Sequence, residues 1–165
     1  MKHFKKIFAV ALACVMMLTV LTGCGKTVKN YREELSERLA AANIGVRVDD
    51  QMNKNAETVA KNLTKAVIEA AKGNADYQDI VRGIIKNSNL SDKTQYSVSI
   101  TVVGQTANIG MDGSQSKNTA APTDFFVQEM KDYNEKNPNA KLTKAGIGLL
   151  HIPLYNADIV VLLAE

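Results

Sequence analysis

The chain has 165 residues, 45% of them hydrophobic, enough for one domain that buries about two-thirds of its unfolded surface. Its 20 Lys and Arg outnumber 17 Asp and Glu, but Lys2, Lys5 and Lys6 carry that excess: 20 less 3 leaves 17 against 17 over residues 24–165. A formally neutral body gives no support for a nucleic-acid or anionic-lipid surface, so no nucleic-acid partner is expected.

The first element is an export signal. Met1 to Lys6 is basic, and Ile7 to Val20 is apolar except for Thr19, shorter than the roughly 20 residues of a spanning helix. The run ends in Leu21-Thr22-Gly23-Cys24, which resembles the bacterial lipobox. That resemblance implies cleavage between Gly23 and Cys24 and acylation of Cys24, palmitate being one such acyl group. Residues 1–23 are then a signal peptide, and the protein is expected at the cell membrane, lipid-anchored on the extracytoplasmic side. Cys14 leaves with the signal, so no thiol remains for a disulfide, a metal or a nucleophile. Residues 24–29 form a tether of less than about 20 Å, and 30–165 a single domain.

"NYREELSERLAAANIG" predicts a helix with Asn30 as N-cap, Glu33 completing a capping box, Tyr31, Leu35 and Leu39 on one face, and Gly45 at its end. The clearest periodicity follows, from Met52 through Ala56, Val59, Ala60, Leu63, Ala66, Val67 and Ala70 to Ala71, capped by Asp49 or Asp50 and ended by Gly73. Its alanines allow a neighbour to approach closely. Asp76 to Asn87 predicts a weaker helix around Gly83. In "YSVSITVV", Tyr96, Val98, Ile100 and Val102 alternate with Ser97, Ser99 and Thr101, the pattern of a half-buried strand. Gly104 to Ala121 reads as a long polar surface loop and the best place to look for a site. "PTDFFVQEMKDYNEKN" predicts a helix capped by Thr123 with Phe126, Met130 and Tyr133 on one face. "AGIGLLHIPLYNADIVVLLAE" predicts two strands about a Pro153–Asn156 turn, the second covered on both faces. This order is α+β, with helices packed on a small antiparallel sheet.

The layout resembles the CAP superfamily, the cysteine-rich secretory, venom-allergen and pathogenesis-related proteins and their bacterial members. Asp49, Met52, Ala56 and Ala60 stand on the family's D-x-x-L-x-x-x-A-x-x-x-A spacing. "PTDFFVQEM" resembles its later helix, and Ala145-Gly146-Ile147-Gly148 in "NPNAKLTKAGIGLL" resembles its V-G-V-G entry to the closing hairpin. The resemblance implies an α-β-α sandwich. It also implies a cleft where many members gather two His and two acidic residues around a divalent metal, since imidazole and carboxylate are common ligands.

This chain departs from that pattern. His151 is the one His outside the signal, and Gly104-Gln105-Thr106 stands where the family often has Gly-Glu-Asn, so an amide replaces the carboxylate. No metal or other cofactor is therefore expected. His151 reads first as a packed or hydrogen-bonding strand residue. No Gly-x-Ser-x-Gly motif or phosphate loop is present, and Asp49-Asp50 and Glu33-Glu34 are explained by helix capping and dipole effects. The expected function is a non-catalytic, membrane-anchored module binding a cell-envelope protein or lipophilic ligand in a groove near Gln105, Asn108, Asp112 and His151, with no catalytic residue assigned. The alternatives are an envelope hydrolase acting through Gln105, Asp112 and His151, and an unrelated small envelope-assembly or solute-binding lipoprotein.

Overall fold

The computed structural model describes residues 27–71, 77–102, 105–116, 121–153 and 156–165, with side chains except at 65–71, 77, 78, 80, 102, 105, 115 and 116. The signal, with Gly23 and Cys24, and the first residues of the tether lie outside them, as do Gly73 and the side chains of Ala66, Val67, Ala70 and Ala71.

The first helix, α1, spans Val28–Ala42. Its N-cap is Thr27: the Thr27 hydroxyl accepts from the Asn30 N–H at 3.3 Å, and Asn30 Oδ1 accepts from the Thr27 N–H at 2.9 Å. This reciprocal box satisfies two amides at the helix start, so the helix begins before the expected Asn30 cap and takes in Val28 and Lys29 of the expected tether. It ends at Asn43, which is left-handed at φ 51°, ahead of Gly45. Tyr31, Leu35 and Leu39 form the buried face.

A two-residue strand, β1 (Arg47–Val48), leads into α2 (Asp50–Ala71). Asp49 is the cap between them. Its N–H donates to the Ala145 carbonyl at 2.8 Å, and its carboxylate accepts from the Met52 N–H at 2.9 Å. Next come α3 (Tyr77–Lys86), β2 (Gln95–Val102), β3 (Gln105–Ile109), β4 (Gln115–Ser116), α4 (Pro122–Lys136), β5 (Lys144–Ile152) and β6 (Ala157–Ala164). The sheet order is β1-β5-β6-β2-β3-β4, antiparallel except for β1 beside β5. The described residues form an α+β domain with four helices packed against a mostly antiparallel, open sheet.

The two-residue period of β6 divides the core between the sheet's two faces. Ile159, Val161 and Leu163 pack with Met52, Ala56, Val59, Ala60 and Leu63 of α2 and Val81 and Ile85 of α3. Val160, Leu162 and Ala164 pack with Tyr31, Leu35 and Leu39 of α1 and Phe125, Phe126 and Met130 of α4. Burial of β6 on both sides agrees with its unbroken apolar run. The alanine stripe of α2 lies directly on β5. A methyl group added at Gly146 would collide with the backbone of Met52 and Asn53, and one at Gly148 with that of Ala56 and Glu57.

Three further expectations are corrected. Residues 104–121 are not one loop: β3 and β4 inside that span extend the sheet, and Asn108 is buried. β2 is not half-exposed, because Ser97 and Ser99 are fully buried on the face that carries α1 and α4. Thr123 does not cap α4. Ala121 holds that position and Pro122 opens the helix, needing no amide partner there, which frees the Thr123 hydroxyl to donate to Glu34 Oε1 of α1 at 2.8 Å.

Candidate functional site

The strands align their polar residues on one end of the α1/α4 face. Register sets His151 of β5 opposite Asp158 of β6, Asp158 opposite Thr101 of β2, and Thr101 opposite Thr106 of β3. His151 Nδ1 and Asp158 Oδ1 are 2.7 Å apart, with 45% and 24% of the side chains exposed, and the Thr101 and Thr106 hydroxyls are 3.1 Å apart. The next row inward is Leu149, Val160, Ser99 and Asn108, and the one after it holds Ile147, Leu162 and Ser97. Polarity therefore runs in two directions, toward the open end of β5 and β6 and across to β2 and β3.

Tyr31, in the first turn of α1, faces this polar end. Burial raises its phenol pKa, and the negative charges of Asp158 and Glu34 raise it further. Glu34 accepts from Thr123 and lies 3.5 Å from Arg38, which also pairs with Asp124 of α4 at 2.5 Å. Midway along α4, Glu129 Oε2 accepts from the Met111 N–H at 2.6 Å. Burial pushes the Glu129 carboxyl upward, the Met111 bond and Lys136 pull it down, and Asp112 and Asp132 add to the rise. Helix α4 is thus tied to α1 at its start and to the β3–β4 turn further on.

On the sheet face that carries α1 and α4 lie polar groups that nothing satisfies. Ser97 Oγ, Ser99 Oγ, Asn108 Oδ1 and Asn108 Nδ2 each expose less than 1 Å² and have no hydrogen-bond partner. Such a group costs about 1 to 3 kcal/mol when buried. The apolar anchors Phe125, Phe126 and Met130 contribute about 1.5 to 3 kcal/mol each. The opposing quantities are of the same order, so α4 rests on this face with a smaller margin than its buried aromatics suggest.

The four residues expected around a groove do not converge. His151 and Asn108 share a face but stand on strands three places apart, about 14 Å at the usual strand spacing. Asp112 is exposed in the β3–β4 turn, where it accepts from the Ser114 N–H at 2.8 Å; hydrogen bonds from Ser114 hold its carboxyl below the ordinary value. The Gln105 side chain lies outside those described. Asp158, Ser97 and Ser99 were not among the expected residues. Counting register outward from the Pro153–Asn156 turn pairs His151 with Asp158 and would have found the first.

Among the described residues, the arrangement orients an imidazole without supplying a nucleophile beside it. Asp158 holds the ring through Nδ1, but Thr101 lies two strands from His151, about 10 Å away, beyond the reach of direct proton transfer. Among the described residues, no three or more His, Cys, Asp or Glu gather to hold a metal ion, and no helix is long and apolar enough to cross a membrane. The chain matches no protein-family model, no curated protein and no solved structure.

Proposed function

We propose that the protein is a lipid-anchored, extracytoplasmic binding module whose domain is of CAP type and non-catalytic. The observation that carries the binding reading is the polar half of one sheet face, where Ser97, Ser99 and Asn108 have no partner within the fold. The Leu21-Thr22-Gly23-Cys24 motif supports the anchor and the extracytoplasmic location. The CAP reading is supported by helices on both faces of the sheet and by Gly146 and Gly148 of the Ala-Gly-Ile-Gly stretch lying flush against α2.

Native mass spectrometry of the protein extracted in mild detergent from its own cells tests both parts. The expected species is residues 24–165 with acyl chains on Cys24, retaining a ligand or an envelope protein. An unacylated chain that still carries residues 1–23 would refute the anchor. An acylated chain that retains nothing when mixed with an envelope extract would refute the binding module.

The His151–Asp158 pair favours an envelope hydrolase as the second reading. Activity on an envelope polymer that disappears in His151→Ala, with the melting temperature unchanged, would support it.

A further inference from the structure

We propose that α4 is the movable cover of a binding face, and that Ser97, Ser99 and Asn108 beneath it take an uncharged ligand carrying hydroxyl and amide groups; this rests on the binding-module reading above.

The two faces of the sheet are built differently. On one, α2 lies against Gly146 and Gly148, and its Asn53 Oδ1 accepts from the Ile147 N–H of the strand backbone. No described polar side chain between α2 and β5 is left unpaired. On the other face, which carries α1 and α4, four unpaired polar atoms are shut away from water, two of them on β2, a strand that α4 contacts. Along the first two turns of α4, its polar ties are Thr123 to Glu34, Asp124 to Arg38 and Glu129 to the Met111 N–H, all between part-exposed groups that water can replace when this part of the helix lifts. Buried Asn134 in the last turn stays fixed, accepting from the Leu142 N–H at 2.7 Å and donating to its carbonyl at 3.4 Å. Lifting α4 also gives Ser97, Ser99 and Asn108 the partners they lack. Opening is therefore easier at α4 than at α2, and local opening of this kind selects particular elements of a fold.

The chemistry of the uncovered groups chooses the ligand. The two hydroxyls each donate and accept, and the Asn108 carboxamide offers two donors and an acceptor. A carboxylate would leave the acceptors unmatched, and an ammonium would leave the donors unmatched. A neutral group bearing both hydroxyl and amide satisfies all three residues. Ser97 and Ser99 are about 7 Å apart along β2, and Asn108 lies about 5 Å across from Ser99, so the patch is one sugar ring in extent. Thr101, Thr106, Asp158 and His151 continue the polar surface outward to solvent.

Hydrogen-exchange mass spectrometry on the acylated protein in detergent tests this, with N-acetylglucosamine as the polar probe and decanoate as the lipophilic one. In the unmodified protein, α4 amides are expected to exchange faster than α2 amides. Asn108→Leu removes a buried unsatisfied amide and should slow α4 exchange about tenfold while leaving α2 unchanged. N-acetylglucosamine should change α4 exchange in the unmodified protein and not in Asn108→Leu. If the leucine variant does not fold, Ser99→Ala carries the same comparison, with a smaller slowing. Equal exchange in α2 and α4, or α4 exchange that neither variant alters, would overturn the cover. A response to decanoate in place of the sugar would overturn the ligand class. A ligand retained in native mass spectrometry while α4 stays silent would leave the binding module standing and remove this site.

Discussion

Asn53 Oδ1 of α2 accepts the backbone N–H of Ile147 of β5 at 2.9 Å, so a helix side chain stands in for a missing strand. β1 pairs only with Lys144 and Ala145, because the chain turns into α2 after Val48, and Asp49 O is already engaged by the Asn53 N–H. Ile147 would otherwise leave a buried donor unmatched at the sheet edge. Asn53→Leu keeps the volume and deletes the acceptor. The expected loss is about 1 to 3 kcal/mol, read as a lower denaturation midpoint with an unchanged slope. An unchanged midpoint would mean that another acceptor, such as water, serves Ile147.

Two glycines invite opposite outcomes under the same substitution. Gly148→Ala would drive a methyl group into the Ala56 and Glu57 backbone, where no rotamer can yield, and should cost about 3 kcal/mol or more. Gly83 lies inside α3 with nothing near its missing side chain, so Gly83→Ala should stabilise the protein by about 0.5 to 1 kcal/mol. Thermal melts of the two variants decide it. Equal and small shifts would show that α2 does not rest on β5 as described.

Elements with one strong period were legible in the sequence. The α2 stripe from Met52 to Leu63 and the apolar run of β6 bury the residues their spacing predicts, because hydrophobic burial alone sets those positions. The polar elements were not legible. "QTANI" carries few apolar residues, and it becomes β3 through pairing with β2, a long-range choice no local pattern displays. Ser97 and Ser99 look like the solvent side of a strand until α4 closes over them. The same holds for the site. His151 stood out as the lone histidine of the body, whereas Asp158 acquires meaning only from hairpin register, and Asn108 only from burial.

The Glu129 carboxyl gives a pH signature of definite sign. Its pKa is raised in the folded protein, chiefly by burial, so the folded state holds this proton more tightly than the unfolded state does. Stability from this group is therefore highest below the unfolded value and falls as pH rises through the interval up to the folded one. Glu129→Gln should raise the melting temperature near pH 7 by a few degrees, since an amide oxygen can still accept from Met111, and the gain should shrink toward zero on acidification below about pH 4. A gain that persists undiminished at low pH would assign it to packing rather than charge.

Arg32 of α1 and Glu57 of α2 form an ion pair between helices on opposite faces of the sheet, with 30% and 35% of the side chains exposed. Glu57 sits level with Gly148, so the pair passes outside the edge of β5, where β1 has already ended. An uncovered edge of that kind templates pairing with another chain. The ion pair itself should contribute little, on the order of 1 kcal/mol or less after solvent screening, so its larger effect is to block the edge. Glu57→Lys places two positive charges together there and opens the clasp. Sedimentation velocity across a concentration series should then show self-association that the unmodified protein lacks, with Arg32→Glu added to Glu57→Lys restoring the monomer by reversing the pair. A Glu57→Lys protein that remains monomeric throughout, with only a small loss of stability, would mean that the β5 edge is shielded by the helices themselves and not by this pair.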